Sequence, residues 1–415
     1  MRLSRRFKYF FRIFIWSWLG IQIGILAFLN IPYVQDRLSS IVSKELGKLF
    51  QTEVSVGHID VGLLNRIIIE DILLEDQQGE VIAKVARLSA NYEIFPLFEG
   101  KFLVNSVQLF GFSFHLNRET PEAVPNYQFV LDALAPKDTI KEETNLDLRI
   151  NSVLIRRGKI RYDVWSEPET PGKFNASHIN VEELAATISL KALKKDSLNA
   201  TVRRLGFVER SGFELKKFLF KIVANNSSLK INDFLVELPN SALSLDSLDI
   251  RFDSLKNLPL LTEDVAYQGK LCASLTPADL SAFFPPLKGM TSSADFTLAF
   301  EGKGNDLICP EISLQDKKHF LLNAETSFKD LNAGQKMFLN GRVSDLQVTP
   351  QGINYLMGNL TGKVSPLFQR MQFVHFKGGV NGYLHELKIN GKLDSSAGTL
   401  NADLTMNADE NNNRT

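Results

Sequence analysis

Most of the sequence after residue 52 alternates between apolar and polar positions. Phe218, Phe220 and Ile222, for example, are separated by single residues. An apolar residue at every second position predicts a β-strand with one covered face. The same period recurs, between Asn, Gly, Ser and Asp turns, in segments 146–150, 160–164, 234–238, 243–245, 248–252, 296–300 and 400–406. Because short turns join these segments, we predict a mainly β protein whose strands form antiparallel meanders.

The first part of the chain predicts a membrane-spanning helix instead. No charged residue occurs from Ile13 to Leu29, and Phe10 and Ile31 extend the apolar segment. At ~1.5 Å per residue, a helix over 10–31 is about 33 Å long, enough to cross a hydrocarbon core of about 30 Å. The residues before it are basic, with no acid among them: Arg2, Arg5, Arg6, Lys8 and Arg12.

A cleaved signal peptide is the alternative interpretation of this segment. Its apolar region would be shorter and would end at small residues that a peptidase can cleave after. The sequence Leu29-Asn30-Ile31-Pro32-Tyr33 contains no such site, which favours an uncleaved anchor. Since basic flanks stay in the cytoplasm, the N-terminus is predicted to be cytoplasmic and the chain from about residue 32 to lie across the membrane.

An amphipathic helix is predicted directly after the anchor. Pro32 precedes apolar residues at spacings of three and four: Val34, Leu38, Ile41, Val42, Leu46 and Leu49. Such a helix could lie on the outer leaflet of the membrane or cover the end of a sheet. Its polar face mixes acids and bases, with no enrichment in Lys or Arg, so we favour the sheet-covering position.

Two further helices are predicted from a repeated Thr-Pro pair. Thr276-Pro277 and Thr349-Pro350 each combine a good N-cap with a residue suited to the first helical turn. Similar strand endings follow at 300–305 and 376–381, which indicates a weak repeat. Segment 118–144 contains several prolines around a short apolar patch and predicts a loop with a helical turn or two.

The overall composition excludes several classes of protein. Lys and Arg number 47 and Asp and Glu also 47, which is too even a balance for a nucleic-acid-binding protein. Without the five basic residues of the N-terminal tip, the remaining chain has 47 − 5 = 42 bases against 47 acids, a net charge of −5. The two cysteines, Cys272 and Cys309, could form a disulfide in an oxidising compartment or be ordinary small side chains in strands.

The sequence offers no catalytic motif. The six histidines are scattered without a second ligand at metal-binding spacing, and neither a Walker loop nor a Gly-x-Ser-x-Gly elbow is present. We therefore predict no catalytic residue, no metal and no cofactor. An anchored periplasmic hydrolase remains open as an alternative, and a confined cluster of His and carboxylate would favour it.

Phenylalanine is unusually abundant, with 30 residues. The apolar face of a meander must be covered by a second sheet, by helices or by a ligand. Two interpretations therefore stay open: a sandwich core, or a groove that holds acyl chains. The candidate groove residues are Phe218, Phe220, Ile222, Phe234, Val236, Leu243, Leu245, Phe296, Leu298 and Phe300.

The first ~115 residues resemble the AsmA-like superfamily, and most closely its TamB-type inner-membrane subunit of the translocation and assembly module, in the form common in Bacteroidetes. The resemblance lies in the basic anchor, segment 31–38, Val54-Ser55-Val56-Gly57, segment 63–76 and the stretch from Tyr92 to Gly100. After residue 120 the likeness is limited to short strands in register-like units.

The resemblance implies a bacterial inner-membrane protein with a single span, most of it periplasmic, that takes part in outer-membrane biogenesis. It also implies an elongated sheet curled into a half-open apolar groove, a β-taco, that carries phospholipid between membranes. The alternative is a scaffold for outer-membrane proteins that pairs its strands with a barrel partner by β-augmentation. TamB-type members are longer and end in a further β domain, which residues 408–415 do not resemble.

The predicted organisation has five parts. They are a basic tip and anchor (1–31), an AsmA-like helix and β domain (32–117), a loop with a short helix (118–144), a repetitive β-groove segment (145–407) and a polar tail or truncation end (408–415).

Overall fold

The computed structural model shows a mainly β chain. It describes residues 31–62, 65–93, 102–134, 146–194, 197–253, 262–316, 318–361 and 372–407, together with isolated positions between 9 and 28. Strands make up 61% of the described residues, and they form one mostly antiparallel sheet. The prediction of a mainly β fold with few helices is thus confirmed.

Two compact units divide the chain: Met1–Glu169 with Asn175–Thr187, and Thr170–Phe174 with Ile188–Thr415. The first unit contains helix α1 (Pro32–Phe50), strands β1 (Val54–Gly62), β2 (Arg66–Glu75), β3 (Val81–Tyr92) and β4 (Phe102–Arg118), helix α2 (Gln128–Leu134) and strand β5 (Leu146–Val164). The division falls within β6 (His178–Lys194). The predicted boundaries at 117 and 144 stay predictions.

The first unit corrects the prediction of purely antiparallel pairing. Strands β1 to β4 pair antiparallel in chain order, but β4 and β5 are parallel, with Phe102 opposite Leu146 and Arg118 opposite Val164. Parallel strands need a connection that returns the chain to the end where it started. The segment that connects β4 to β5, predicted to be a loop with a helical turn or two, contains α2.

The second unit is an antiparallel meander in chain order after β6. Its strands are β7 (Ser197–Glu209), β8 (Glu214–Asn225), β9 (Ser228–Glu237), β10 (Ala242–Arg251), β11 (Ala266–Leu275), β12 (Ala294–Lys303), β13 (Asp306–Asp316), β14 (Phe320–Lys329), β15 (Phe338–Val348), β16 (Val374–Tyr383), β17 (Glu386–Ser395) and β18 (Gly398–Asn407). Helix α3 (Pro350–Thr361) lies between β15 and β16.

The predicted membrane anchor lies mostly outside the described residues, as do Arg2, Arg5, Arg6, Lys8 and Arg12. The isolated positions described between 9 and 28 are helical and exposed. No helix among the residues that the structure describes combines the length and apolar character needed to cross a membrane.

Helix α1 packs against β1, as the sheet-covering interpretation predicts. Ser43 on the helix accepts a hydrogen bond from the backbone N–H of Val56 at 3.0 Å, so a side chain from α1 occupies a donor on the first strand. The residues that α1 buries are Gln35 and Ser39, whereas Ile41 and Leu49 of the apolar stripe remain exposed. The helix therefore covers the edge of the sheet with its polar flank as well as its apolar stripe.

The two Thr-Pro pairs have different outcomes. Thr349 caps α3, because its Oγ1 accepts a hydrogen bond from the N–H of Gly352 at 3.0 Å. Thr276 instead donates its hydroxyl to the carbonyl oxygen of Asn240, and two short 3-10 helices follow, Pro277–Leu280 and Pro285–Gly289. The prolines at 285 and 286 remove backbone donors that a continuous α-helix would need.

Candidate functional site

All ten groove candidates lie on one face of the second unit. Residues that are directly opposite each other in a register share a face of the sheet, and so do alternate residues of a strand. Phe218 is opposite Val236, and Val236 is opposite Leu243. Phe234 is opposite Leu245, and the ring centroids of Phe218 and Phe234 are 5.6 Å apart.

The face is apolar without interruption along whole rows of register partners. One row takes a single residue from every strand between β8 and β18: Phe218, Val236, Leu243, Ala273, Phe296, Leu314, Leu322, Leu346, Phe376, Leu393 and Leu400. The next contains Phe234, Leu245, Leu271, Leu298, Ile312, Ala324, Val343, Gly378, Gly391 and Ala402. We call the surface made by these rows the apolar face.

The candidates on the apolar face are all half-buried, neither enclosed in a core nor fully exposed. The strands of the second unit all belong to one sheet, so among the described residues of that unit no second sheet covers this face. At the last strand, β18, Leu400 and Leu404 are 58% and 57% exposed. The sandwich-core interpretation therefore lacks its covering layer within the described residues of the second unit.

The opposite surface of the same strands, which we call the polar face, is charged and hydrogen-bonded. Its register partners include Thr297 and Ser313 next to the apolar rows. Lys230 and Asp249 form an ion pair at 3.0 Å, and Lys270 and Glu311 form one at 2.8 Å. The sheet thus separates an apolar surface from a water-compatible one across its own thickness.

Aromatic rings on the apolar face lie over glycines of neighbouring strands. Gly269 is opposite Phe300, and a Cβ atom at Gly269 would be 2.7 Å from the ring of Phe300. Tyr267 is likewise opposite Gly302, where a Cβ would be 2.4 Å from the ring. A ring that covers a strand glycine compensates for the missing side chain. This pairing gives some of the abundant aromatic residues a structural role that the sequence analysis missed.

We expect the substitution Gly269→Ala to lower the free energy of unfolding of the second unit by about 1–3 kcal/mol, as other overpacked sites do. The added methyl group overlaps the ring of Phe300. In Gly269→Ala/Phe300→Ala the overlap disappears, so urea denaturation should show a loss smaller than the sum of the two single losses. Strictly additive losses would contradict this packing.

A buried cluster of titratable groups lies in the first unit. Asp163 accepts hydrogen bonds from Nδ1 of His178 at 3.0 Å and from Nε of Arg161 at 2.6 Å. His115 lies 3.6 Å from the same carboxylate. The side chains of Asp163 and His178 are only 3% and 4% exposed. Sequence analysis did not find this cluster, because no periodic pattern connects residues 163 and 178.

The geometry of His178 favours a structural role over catalysis. Its Nε2 lies 2.8 Å from the carbonyl oxygen of Glu167. Both ring nitrogens therefore face acceptors, and each of them donates a proton in the imidazolium form. A general base needs a free ring nitrogen near a substrate, and both nitrogens of His178 are committed.

The charges within the cluster shift its titration. The hydrogen bond to Asp163, together with that to the Glu167 carbonyl, raises the pKa of His178 above 6.5. Burial alone would raise the pKa of Asp163, but hydrogen bonds from His178 and Arg161 outweigh it and hold that pKa below 3.8. Both shifts favour the ion pair over the neutral pair.

We expect the stability of the first unit to depend on pH. The raised pKa of His178 and the lowered pKa of Asp163 determine the direction of this dependence. The contribution of His178 is complete below pH ~6.5 and is lost as the pH rises through its raised folded-state pKa; that of Asp163 is lost as the pH falls below ~3.8. Urea unfolding of the wild type should therefore show lower stability at pH 9 than at pH 6. The variant His178→Gln should lose this decrease, and an equal decrease in both proteins would contradict the assignment.

The second unit has a related pair at the turn between β13 and β14. Nδ1 of His319 lies 2.6 Å from Asp316, and the His319 ring stacks on Tyr355 at 4.4 Å. Burial alone would raise the pKa of Asp316, but the hydrogen bonds from His319 and from the backbone N–H of Lys318, with the charges of both residues, together lower it. The spacing Asp-x-x-His is the sequence signal that could have identified it. In the described chain no serine or cysteine side chain forms a hydrogen bond with this imidazole. The pair therefore offers no nucleophile of the kind that the hydrolase alternative would need.

The two cysteines are both free thiols. Cys272 is opposite Thr297 on the polar face, whereas Cys309 is buried and burial raises its pKa. The disulfide alternative is not formed in this structure. Among the described residues no group of side chains suited to a metal ion is present.

Comparisons with protein-family models, with curated proteins and with solved structures found no match to this chain.

Proposed function

We propose that this chain is an inner-membrane-anchored, periplasmic protein of outer-membrane biogenesis that carries phospholipid on the apolar face of its sheet. In this proposal the sheet is curled into a half-open groove, and residues 1–31 form the anchor with the basic tip in the cytoplasm. The AsmA-like resemblance of the N-terminal segments supports the assignment to this class of protein. The exposed apolar side chains of Trp16 and Phe28 suit a lipid environment.

The observation that carries the proposal is the unbroken series of apolar rows from β8 to β18. Alternate residues of a strand are about 6.8 Å apart, so four apolar positions make a band about 20 Å high. On β17 these positions are Leu387, Ile389, Gly391 and Leu393. One leaflet of a bilayer has a hydrocarbon thickness of about 15 Å, half of a 30 Å core. The band is therefore high enough to cover acyl chains along their length.

The chemistry of the apolar face suits passive movement. Each CH₂ group that leaves water gains about 0.8 kcal/mol, and the gain is similar at every strand because every strand presents the same kind of surface. A lipid would then find no deep minimum at any one position and could move from strand to strand with its headgroup in water. No catalytic residue takes part in this process.

Photo-crosslinking tests the proposal in the full chain expressed in cells. Benzoylphenylalanine in place of Phe220, Phe234 or Phe296 should give phospholipid adducts, because these side chains lie on the apolar face. The matched control is Leu235, which neighbours Phe234 but faces the other way. Adducts only to protein at all three positions, or equal lipid yields at Phe234 and Leu235, would overturn the proposal.

A scaffold function is the second candidate, and the one-sided strand pairing of β18 among the described residues favours it. In the described chain β18 pairs only with β17, whereas α1 packs against the first strand and Ser43 occupies a donor there. An uncovered edge strand presents backbone groups that can pair with another chain. With Leu400 and Leu404 exposed, an added strand from a barrel partner could continue the apolar rows.

A substitution at Leu404 distinguishes the lipid-carrier function from the scaffold function. An added strand that continued the apolar rows would remove position 404 from water, and a lysine there would have no partner, so Leu404→Lys should reduce outer-membrane barrel assembly in cells if the scaffold function is correct. The lipid adducts of the Phe234 position should remain unchanged. The control Thr405→Lys places the same charge on the polar face. Equal assembly in both variants and the wild type would contradict pairing at this edge.

A further inference from the structure

The polar face of β15, β16 and β17 contains a hollow of about 870 Å³. Its position follows from the register: Arg342, Gly379 and Asn390 form one row across the three strands, and Asn340, Asn381 and Lys388 form the next. Gly379 thus stands in the middle of long polar side chains. Because glycine has no side chain, the centre of this surface is empty while its rim is raised.

Donors dominate the rim of the hollow. Its polar and charged side chains are Asn340, Arg342, Lys377, Asn381, Lys388 and Asn390, with Ser344, and no acid lines it. Arginine and lysine donate but do not accept hydrogen bonds, and each asparagine amide offers two donors. Nδ2 of Asn381 donates to Oδ1 of Asn340 at 3.2 Å, which orders two of the amides.

The charges around the hollow are incompletely matched. In the described chain, Arg342, Lys377 and Lys388 make no ion pair within 4.0 Å. Lys377 is directly opposite Lys392, and like charges in this position destabilise a sheet. The acids at the perimeter are Asp345, bonded to His375, and Asp394, bonded to Lys392. Glu325 and Asp403 are opposite Arg342 and Asn390 in the register.

We propose that this hollow binds a phosphate-type oxyanion. A lining with three basic side chains and no carboxylate does not suit a metal cation, and a rim of charged and amide groups does not suit an apolar ligand. A tetrahedral oxyanion accepts hydrogen bonds on every oxygen, so it matches a ring of donors around an empty centre. It would also supply a counter-charge to Lys377, which is directly opposite Lys392. The site is on the polar face and does not depend on lipid movement along the apolar face.

Titration of the detergent-solubilised full chain with inorganic phosphate, followed by ³¹P NMR at constant ionic strength, tests this site. The wild type should show saturable binding. Gly379→Val fills the centre without changing any charge and should weaken binding at least ~10-fold, a change of about 1.4 kcal/mol. Its backbone should tolerate the change, because the new Cβ lies 3.2 Å from the movable amide of Asn390. Lys377→Gln should weaken binding as well.

The controls separate the hollow from general attraction to positive charge. Lys221→Gln on β8 removes one lysine from another part of the sheet and should bind phosphate as the wild type does. sn-Glycerol 3-phosphate is the second probe: tighter binding than inorganic phosphate assigns the site to a phosphoester headgroup, and weaker binding assigns it to the free anion. Absence of saturable wild-type binding, or equal affinity in the wild type and a folded Gly379→Val, would overturn the proposal.

Discussion

Replacement of Leu298 by aspartate is expected to reduce phospholipid transfer by the full chain to less than about a tenth of the wild-type rate. Leu298 lies in the second apolar row, between Leu271 on β11 and Ile312 on β13. An acyl chain that passes this point would have to desolvate a carboxylate, which costs several kcal/mol, and each ~1.4 kcal/mol slows the step tenfold. Transfer between donor and acceptor vesicles measures the rate.

Thr297→Asp is the matched control, because it puts the same charge one residue away on the polar face. It should leave transfer within about twofold of the wild type, well under one kcal/mol. Thermal unfolding of both variants shows whether the sheet has kept its stability. If Leu298→Asp is folded and transfers lipid as fast as Thr297→Asp, lipid does not pass along this face.

The substitution Asp163→Asn is expected to lower the free energy of unfolding of the first unit by about 3–5 kcal/mol, the usual cost of removing one partner of a buried ion pair. It leaves the His178 side chain enclosed without its charged partner. Arg161 also loses its partner. Urea denaturation followed by circular dichroism measures the loss.

The pair of Asp345 and His375 provides the control in the same chain. Its bond is as short, at 2.7 Å, but the two side chains are 24% and 32% exposed. Exposed pairs contribute at most about 1 kcal/mol, so Asp345→Asn should have a small effect. Equal losses for the two asparagine variants would mean that burial does not determine the strength of these pairs.

The apolar face could be predicted because alternation along a strand is a local property. β12 shows this, since Phe296, Leu298 and Phe300 follow a strict period of two in the sequence. Local patterns also predicted helix α1, from apolar residues at spacings of three and four, and the N-cap Thr349, from its Thr-Pro pair. In each case, neighbours within a few residues of the chain determine the structure.

The remaining features depend on contacts that no local pattern encodes. Strand β9 contains a bulge at which Asp233 has φ of 55°, and the apolar positions change from Ile231 to Phe234 across it. The parallel pairing of β4 with β5 depends on where a long connection returns. The ion pair between Asp163 and His178 forms only after β5 and β6 are in place. The bulge, the parallel pairing and the ion pair all depend on tertiary geometry, which the alternation of apolar and polar residues does not encode.

The most direct test of the account is a crosslinking scan along β12 in cells. Benzoylphenylalanine is placed at each position from 295 to 300 in turn, and the phospholipid adducts are quantified by mass spectrometry. If the apolar face holds lipid, the adduct yield should alternate with a period of two, high at Phe296, Leu298 and Phe300 and low at the positions between them. A yield that is uniform along the strand, or adducts to protein alone at the apolar positions, would contradict the account.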